Sequence, residues 1–568
     1  MAFDGFVTKS IVKELQKTII NGKINKIFEP NSNEIVLNIY SNNNKFNLSF
    51  NIDHSNCRIN LTTNLKENPI NPPSFCMLLR KYLEGNKIID IYSIKLDRIV
   101  VIKLEGYDVV RKEISIKTLV VELMGKHSNI ILLNDKNIII DSIRHITKTN
   151  SYRYIFPGEL YTFPIQEKKD FSNLSFEEFY ELINSFSSNL TNILQNNFIG
   201  FSRSYISYIL NKFKINENNF TKDDIQKLYD YLNLILKNIN NGNICCYNYN
   251  FNNKQDFIID ICDNSNNLNV NKYVDDFFTT KETNESFLLY RNNLLKTILS
   301  NLKKLTTKLE NINLKLEECS NMDIYKLYGE LITANLYKIP NKHLDSVQLE
   351  NYYDNNNLLT IKLDKKHLPS YNAKLFYKKY NKLKNALKIV TLQKEEIKLE
   401  IDYLESIIYE IENCSNIKDL EEIYLELYEN NIIKAPKEKN KKNKQLKIKF
   451  TFNPIKITEN GFDIFIGKNN KENDYLTLKF ASKDDIWFHV KDFQGSHVVL
   501  KLNNKPLTDN VILKSAKLAA AYSKAKNSSK VLVEYTKIKN ITKPKGAKPG
   551  FVIFNSYKTL LVEPEVLD

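Results

Sequence analysis

The stretch from Asp485 to Lys501, DIWFHVKDFQGSHVVLK, gathers residue types from which reactive centres are built. It holds the chain's only tryptophan and two of its seven histidines, with a serine beside one of them. Three chemistries are open to it: a nucleophile with its base, a metal held by imidazoles, or a surface that grips a ligand. Ser496 and His497 are sequence neighbours, and neighbours on a strand point to opposite faces, whereas a nucleophile and its base must lie within hydrogen-bond reach. His489 and His497 as metal ligands would need a third, and the nearby Asp485 and Asp492 stand among lysines, the pattern of surface ion pairs. No catalytic residue, metal or cofactor is therefore expected. The alternation IWFHV predicts a strand with Ile486, Phe488 and Val490 toward a core and Trp487, His489 and Lys491 on a face open to a partner. Tryptophan and lysine side by side can stack a base and hold a phosphate. Trp487, His489, Lys491 and His497 are accordingly candidate RNA contacts. The plainer alternative packs Trp487 under a neighbouring loop and leaves His489 a bystander. Gly495 is expected to shape a tight turn before the strand SHVVLK. Farther on, TKPKGAKPGFVIF sets Lys543, Lys545 and Lys548 in a Pro/Gly loop that is extended and allows close approach, so these lysines are candidate phosphate contacts; the alternative is a simple basic loop.

The elements that must position these residues span 568 residues, too many for one hydrophobic core, so several domains are expected. The hydrophobic fraction is 42%, enough for real cores, and 81 Lys+Arg against 66 Asp+Glu give a formal net charge of +15. That excess favours polyanionic partners; a generally Lys- and Asn-rich proteome is the competing explanation. The N-terminus carries Asp4 and no long apolar stretch, so no signal peptide is expected, and no apolar run is long enough for a membrane span. None of the seven cysteines forms a C-x-x-C pair, which argues against a zinc ribbon, and the odd, scattered count suits reduced thiols in the cytoplasm.

Residues 1–170 alternate in period two, with strands at EIVLNIY, KFNLSFNI, DRIVVIKLEG, TLVVELMG and SNIILLN and helices at the N-terminus and at PPSFCMLLRKYLEG. Residues 171–275 read as short helices; FIGFSRSYISYILNKF suggests a helix-hairpin-helix-like element whose amides could meet a phosphate, or else an ordinary capped helix. From Leu288 the period becomes seven: Leu288, Leu295, Leu302, Leu309 and Leu316, with Ile298, Leu305, Ile312 and Cys319 between them. A second heptad run occupies Phe376, Leu383, Val390, Ile397, Leu404 and Ile411, broken once at Lys394. Together they predict an antiparallel coiled-coil hairpin over 276–433 with a small head of helix and strands at about 322–372. The basic run 434–449 reads as a linker, and 450–568 as strands plus one helix. The expected fold is thus a multidomain α+β chain: an N-terminal mixed β/α domain, a helical segment, the hairpin, and a C-terminal α+β domain.

These segments together resemble the NFACT family of the bacterial RqcH ribosome quality-control type, whose members are also known as fibronectin-binding protein A homologues. ENDYLTLKFASKDDIWFHVKDFQGSHVVLK and KLAAAYSKAKNSSKVLVEYTKIKNITKPKGAKPGFV resemble the family's RNA-binding domain. MAFDGFVTKSIVKEL, PPSFCMLLRKYLEG, LDRIVVIKL and ELMGKHSNIILLN resemble its N-terminal domain, and YKLYGELITANLYKI and SVQLENYYD its middle region. The resemblance implies a cytoplasmic, ribosome-associated factor. It would bind the large ribosomal subunit obstructed by peptidyl-tRNA and recruit tRNA, chiefly alanyl-tRNA, so that the nascent chain gains a C-terminal alanine tail. Peptide bonds would form at the ribosome's own centre, so the protein would not be an enzyme. The family's Asp-Arg pair falls on Asp97 and Arg98, its early aspartate on Asp4, and its other polar cluster on Glu122, Lys126, His127 and Asn129; all seven are implied tRNA contacts. Arginine can clamp a phosphate or stack on a base, and aspartate can accept from base or ribose donors. Gln494 stands where the family commonly has proline, which puts only the local turn in doubt. Two other classes are weighed. A fibronectin-binding surface adhesin would need an export signal or anchor, neither of which is expected. A formamidopyrimidine-type DNA glycosylase would need an N-terminal proline, whereas Met1 is followed by Ala2.

Overall fold

A computed structural model describes residues 3–108, 112–147, 153–262, 269–434, 452–503 and 505–565. Most of the expected linker 434–449 lies outside them. The chain divides into two compact units, residues 1–284 and 285–568.

The first unit is built on a nine-stranded sheet in the order β4-β3-β2-β1-β5-β6-β7-β8-β9. Its strands are β1 (Lys23–Asn31), β2 (Glu34–Ser41), β3 (Asn44–Asn51), β4 (Arg58–Leu61), β5 (Lys87–Ser93), β6 (Ile99–Asp108), β7 (Glu113–Glu122), β8 (Asn129–Leu133) and β9 (Ile139–Ser142), all antiparallel to their neighbours. The period-two pattern sorts their side chains: Val100, Ile102, Leu119, Val121, Ile130 and Leu132 enter the main core, whereas Ile99, Val120, Ile131 and Leu133 enter a smaller cluster. Helices α1 (Gly5–Thr18) and α2 (Ser74–Leu83) contribute Phe6, Ile11, Leu15, Leu79 and Leu83 to the main core. So do α3 (Phe176–Asn184), α4 (Leu190–Asn197), α5 (Arg203–Phe213) and α6 (Lys222–Asn241), and the cluster runs without a break across residue 170.

The region 171–275 is not helical throughout. A hairpin of β10 (Ile244–Phe251) and β11 (Lys254–Ile261) closes through Asn252 and Asn253, both with positive φ, the left-handed pair that two-residue hairpin turns favour. The hairpin also corrects the expectation of uniformly reduced thiols, because Cys245 and Cys262 are joined in a disulfide.

Helix α7 (Val270–Ser320) begins with Val270, Val274 and Phe278 in the core of the first unit and continues as the first arm of the hairpin. The return arm is α9 (Pro369–Asn413). Early residues of the first arm cluster with late residues of the second (Leu294 and Ile298 with Leu404, Ile407 and Ile411), and Ile312 clusters with Val390 and Ile397, so the arms are antiparallel. The head holds α8 (Met322–Ala334), β12 (Ser346–Asn351) and β13 (Asn357–Lys362), as expected. The predicted heptad start is corrected: Leu288 is about half exposed, at 48%, and the buried position there is Leu294. A helix not anticipated, α10 (Ile417–Glu429), buries Leu420, Ile423 and Leu427 against the hairpin root.

The C-terminal domain is a six-stranded antiparallel sheet in the order β14-β15-β17-β16-β18-β21. These strands are β14 (Ile455–Glu459), β15 (Phe462–Ile466), β16 (Ile486–Val490), β17 (Val498–Lys501), β18 (Val531–Lys537) and β21 (Lys558–Val562), and a short ribbon pairs β19 (Ile541–Thr542) with β20 (Ile553–Phe554). Helix α12 (Asp509–Ala521) covers one face through Val511, Ala516 and Ala519. The other face is covered too. Helix α11 (Asn470–Tyr475), the π-helical turn Leu476–Phe480 and the ribbon bring Leu476, Phe480, Ile541 and Phe554 over Trp487 and Val499.

Candidate functional site

Three segments far apart in sequence meet at one cleft of about 480 Å³ in the first unit: residues 3–5, residues 96–98 and residues 199–203. Glycine makes the meeting possible. The Gly5 amide donates to the Gly200 carbonyl at 3.1 Å, and Gly200 has φ +94. A Cβ on Gly5 would fall 1.8 Å from the Leu96 carbonyl oxygen and 2.6 Å from the Gly200 Cα. Backbone therefore packs on backbone where the cleft is formed.

Asp4 caps α1. Its Oδ1 accepts from the Phe6 and Val7 amides at 3.1 Å each, and its Oδ2 accepts from the Ser202 hydroxyl at 2.9 Å. Burial pushes its carboxyl up to about 6, against the opposing pull of the Val7 amide, the Ser202 hydroxyl and the Arg98 guanidinium. Asp97 and Arg98 are half-buried in the turn between β5 and β6. Asp97 Oδ2 accepts from Gln166 at 2.8 Å, and its Oδ1 accepts from the Arg98 amide at 2.7 Å. Lys168 and Arg203 also line the cleft, and Arg203 is held by Gln195 Oε1 at 2.6 Å. The cleft thus presents three cations and the Asp97 carboxylate, which can clamp phosphate and accept from base or ribose donors, while Asp4, buried with both oxygens bonded inside the protein, holds the start of α1 in place. Sequence reasoning missed Lys168, Gln195 and Arg203. The signal for the last was present, because Ser202 does cap α5, accepting from the Tyr205 amide at 3.2 Å, as the capped-helix alternative required.

The second polar group divides. Glu122 is buried and accepts from both terminal nitrogens of Arg153, at 2.8 and 2.5 Å, and from the Tyr161 hydroxyl at 2.8 Å. Asn129 is buried and bonds the Arg144 backbone, donating at 2.8 Å and accepting at 3.1 Å. These two fix the loop. Lys126 and His127 are exposed on a 3₁₀ turn, Gly125–His127, directly after Met124, which lines the cleft.

In the C-terminal domain the expected open face is corrected. Trp487 is 1% exposed, with the ring of His489 stacked on it at 5.7 Å, His497 edge-on at 5.2 Å and Phe554 at 4.9 Å. The alternation is as predicted, but α11 and the ribbon cover the face that it was expected to present. His497 is buried, with Nδ1 2.8 Å from the Thr477 hydroxyl, and His489 is half-buried. Burial holds the His489 imidazole down at about 4 and His497 well below its ordinary range, so both are neutral at pH 7. Lys491 is half-exposed, 3.9 Å from Glu534. Gly495 has no positive φ; it is required because a Cβ would lie 2.8 Å from the Ser523 Cβ, and Asp492, at φ 61, makes the turn instead. Of the loop lysines, Lys543 pairs with Asp474, Lys548 reaches Asn430 at 3.3 Å, and Lys545 is exposed at the tip beside Gly546, which has open space around it. Among the described residues no three His, Cys, Asp or Glu side chains converge to hold a metal, and no helix is long and apolar enough to cross a membrane.

The architecture defines a multidomain α+β protein with a polar cleft at one end of its sequence and a basic, loop-bearing sheet domain at the other. Comparison with known proteins agrees. Residues 4–446 match the NFACT N-terminal and middle domains, and residues 449–556 match the NFACT protein RNA binding domain. The chain belongs to the NFACT family. It is 32% identical over 578 residues to the Rqc2 homolog RqcH of Bacillus subtilis, covering 100% of this chain and 98% of that protein. It is 33% identical over 571 residues to the Rqc2 homolog RqcH of Streptococcus pneumoniae, with the same coverage. The solved C-terminal part of the fibronectin/fibrinogen-binding protein of Streptococcus suis is 33% identical and covers 49% of this chain and 96% of its own, with a TM-score of 0.38.

Proposed function

We propose that this protein is a cytoplasmic ribosome quality-control factor. In this reading it binds the large ribosomal subunit that still carries a stalled peptidyl-tRNA and recruits tRNA, alanyl-tRNA by family implication. The ribosome itself then extends the nascent chain with alanine, and the protein performs no bond-making chemistry. The observation that carries the reading is the cleft: Asp4, Asp97 and Arg98, which the family pattern singles out, come from segments distant in sequence and line one cavity with Lys168 and Arg203. Full-length membership in the NFACT family supports the ribosomal setting. Glu122 and Asn129 enter as residues that hold the loop, and Lys126, His127 and Lys545 as exposed groups that can meet RNA. Trp487 and His497 support the C-terminal domain from inside.

The test is a double variant, Asp97→Ala with Arg98→Ala, in cells that accumulate stalled ribosomes. Alanine tails are expected to disappear while cosedimentation with large subunits is retained. Unchanged tailing would remove the cleft from the mechanism.

A further inference from the structure

The cleft does not end at Phe251. That side chain lines it and also lines a second cavity of about 310 Å³, bounded by Phe277, Phe278, Lys254, Lys281 and Asp256. Phe251 and Lys254 are register partners flanking the Asn252-Asn253 turn of the β10–β11 hairpin, so the turn offers a ring and an ammonium side by side. The root of that hairpin is fastened. Cys245 is bonded to Cys262, and Asp260 accepts from Tyr208, Lys212 and Tyr231. Opposite stand Phe277 and Phe278, near the start of α7, with ring centroids 5.4 Å apart at 86°, and Phe277 is braced edge-on by Phe257 at 4.9 Å. Lys281, one turn farther along, lies 5.6 Å from the Phe278 ring centroid and donates to the Ser55 carbonyl at 3.2 Å.

We propose that this cavity is a second nucleotide subsite, taking one unstacked base of single-stranded RNA between Phe251 and Phe277. Lys254 and Lys281 flank its phosphate, and Asp256 accepts from an amino edge of the base. Aromatic walls accept any base face, and a duplex keeps its bases stacked inside, so the occupant belongs to a loop or an end. The inference rests on the reading that the adjoining cleft takes RNA, and it extends the path of the strand by one position past Phe251.

Full-length protein is titrated with deproteinised bulk tRNA, and ultraviolet crosslinks are mapped. Lys254→Glu is the decisive variant, because Lys254 is exposed and lines only the second cavity. It is expected to weaken binding about tenfold, as is Phe251→Ala, which removes one base stack, while Phe251→Tyr keeps the affinity. Crosslinks are expected in the segments around Phe251 and Phe277. Wild-type affinity in Lys254→Glu, or equal losses in Phe251→Ala and Phe251→Tyr, overturns the subsite. If only Asp97→Ala with Arg98→Ala then weakens binding, the proposed function stands without it. A wild-type protein that binds no tRNA overturns both.

Discussion

Trp487 shows what a residue pattern can and cannot say. Alternation assigned it correctly to the face opposite Ile486, Phe488 and Val490, but alternation does not tell how many faces of a sheet are covered. Both are covered here, and the tryptophan became a core residue. Trp487→Ala should therefore cost about 3–5 kcal/mol of stability, read by thermal or urea unfolding, rather than act as a surface change that weakens RNA binding alone. Lys545→Glu should do the reverse, lowering RNA affinity and the salt dependence of binding without moving the melting temperature. The convergence of Asp4, Asp97 and Arg98 was legible only through family resemblance. What joins them is backbone contact at Gly5 and Gly200, and two isolated glycines 195 residues apart carry no periodic signal.

At the scale of elements, the hairpin was readable because heptads are periodic. Its root was not, because α10 is a single short helix and its burial depends on what α9 presents. That root holds two acidic side chains away from water. Glu426 accepts from the Tyr403 hydroxyl at 2.8 Å, and burial pushes its carboxyl up to about 7; burial, with Glu426 nearby, raises Glu410 well above the ordinary carboxylate range. A carboxyl raised in the folded state gives stability that is fully present below its unfolded value near 4.5 and is lost as pH rises through about 7. The His489 imidazole acts in the opposite sense, its contribution being present above about 6.5 and lost on acidification toward 4. Glu426→Gln should thus raise the melting temperature at pH 8 by a few degrees and change it little at pH 5. The same pH profile as wild type would show that Glu426 carries no such cost.

At the scale of the molecule, the net charge of +15 belongs to a chain of two compact units, each with its own core. The length of the chain predicts several domains but does not place the division, because the sheet and the helices that follow it share one buried cluster. A fragment ending at residue 170 is expected to lack a cooperative melt, whereas residues 1–284 should unfold in a single transition. Circular dichroism on the two fragments decides it.

The hydrogen bonds from Gly5 to Gly200 and from Ser202 to Asp4 also have a meaning in time. During synthesis the first helix emerges with its capping aspartate, but the partner that fastens it is made some two hundred residues later, and Glu282, which pairs with Arg58, later still. The earliest part of the chain is among the last to be secured. A ribosome that halts before Gly200 and Ser202 have emerged leaves the cleft unclosed for as long as the halt lasts.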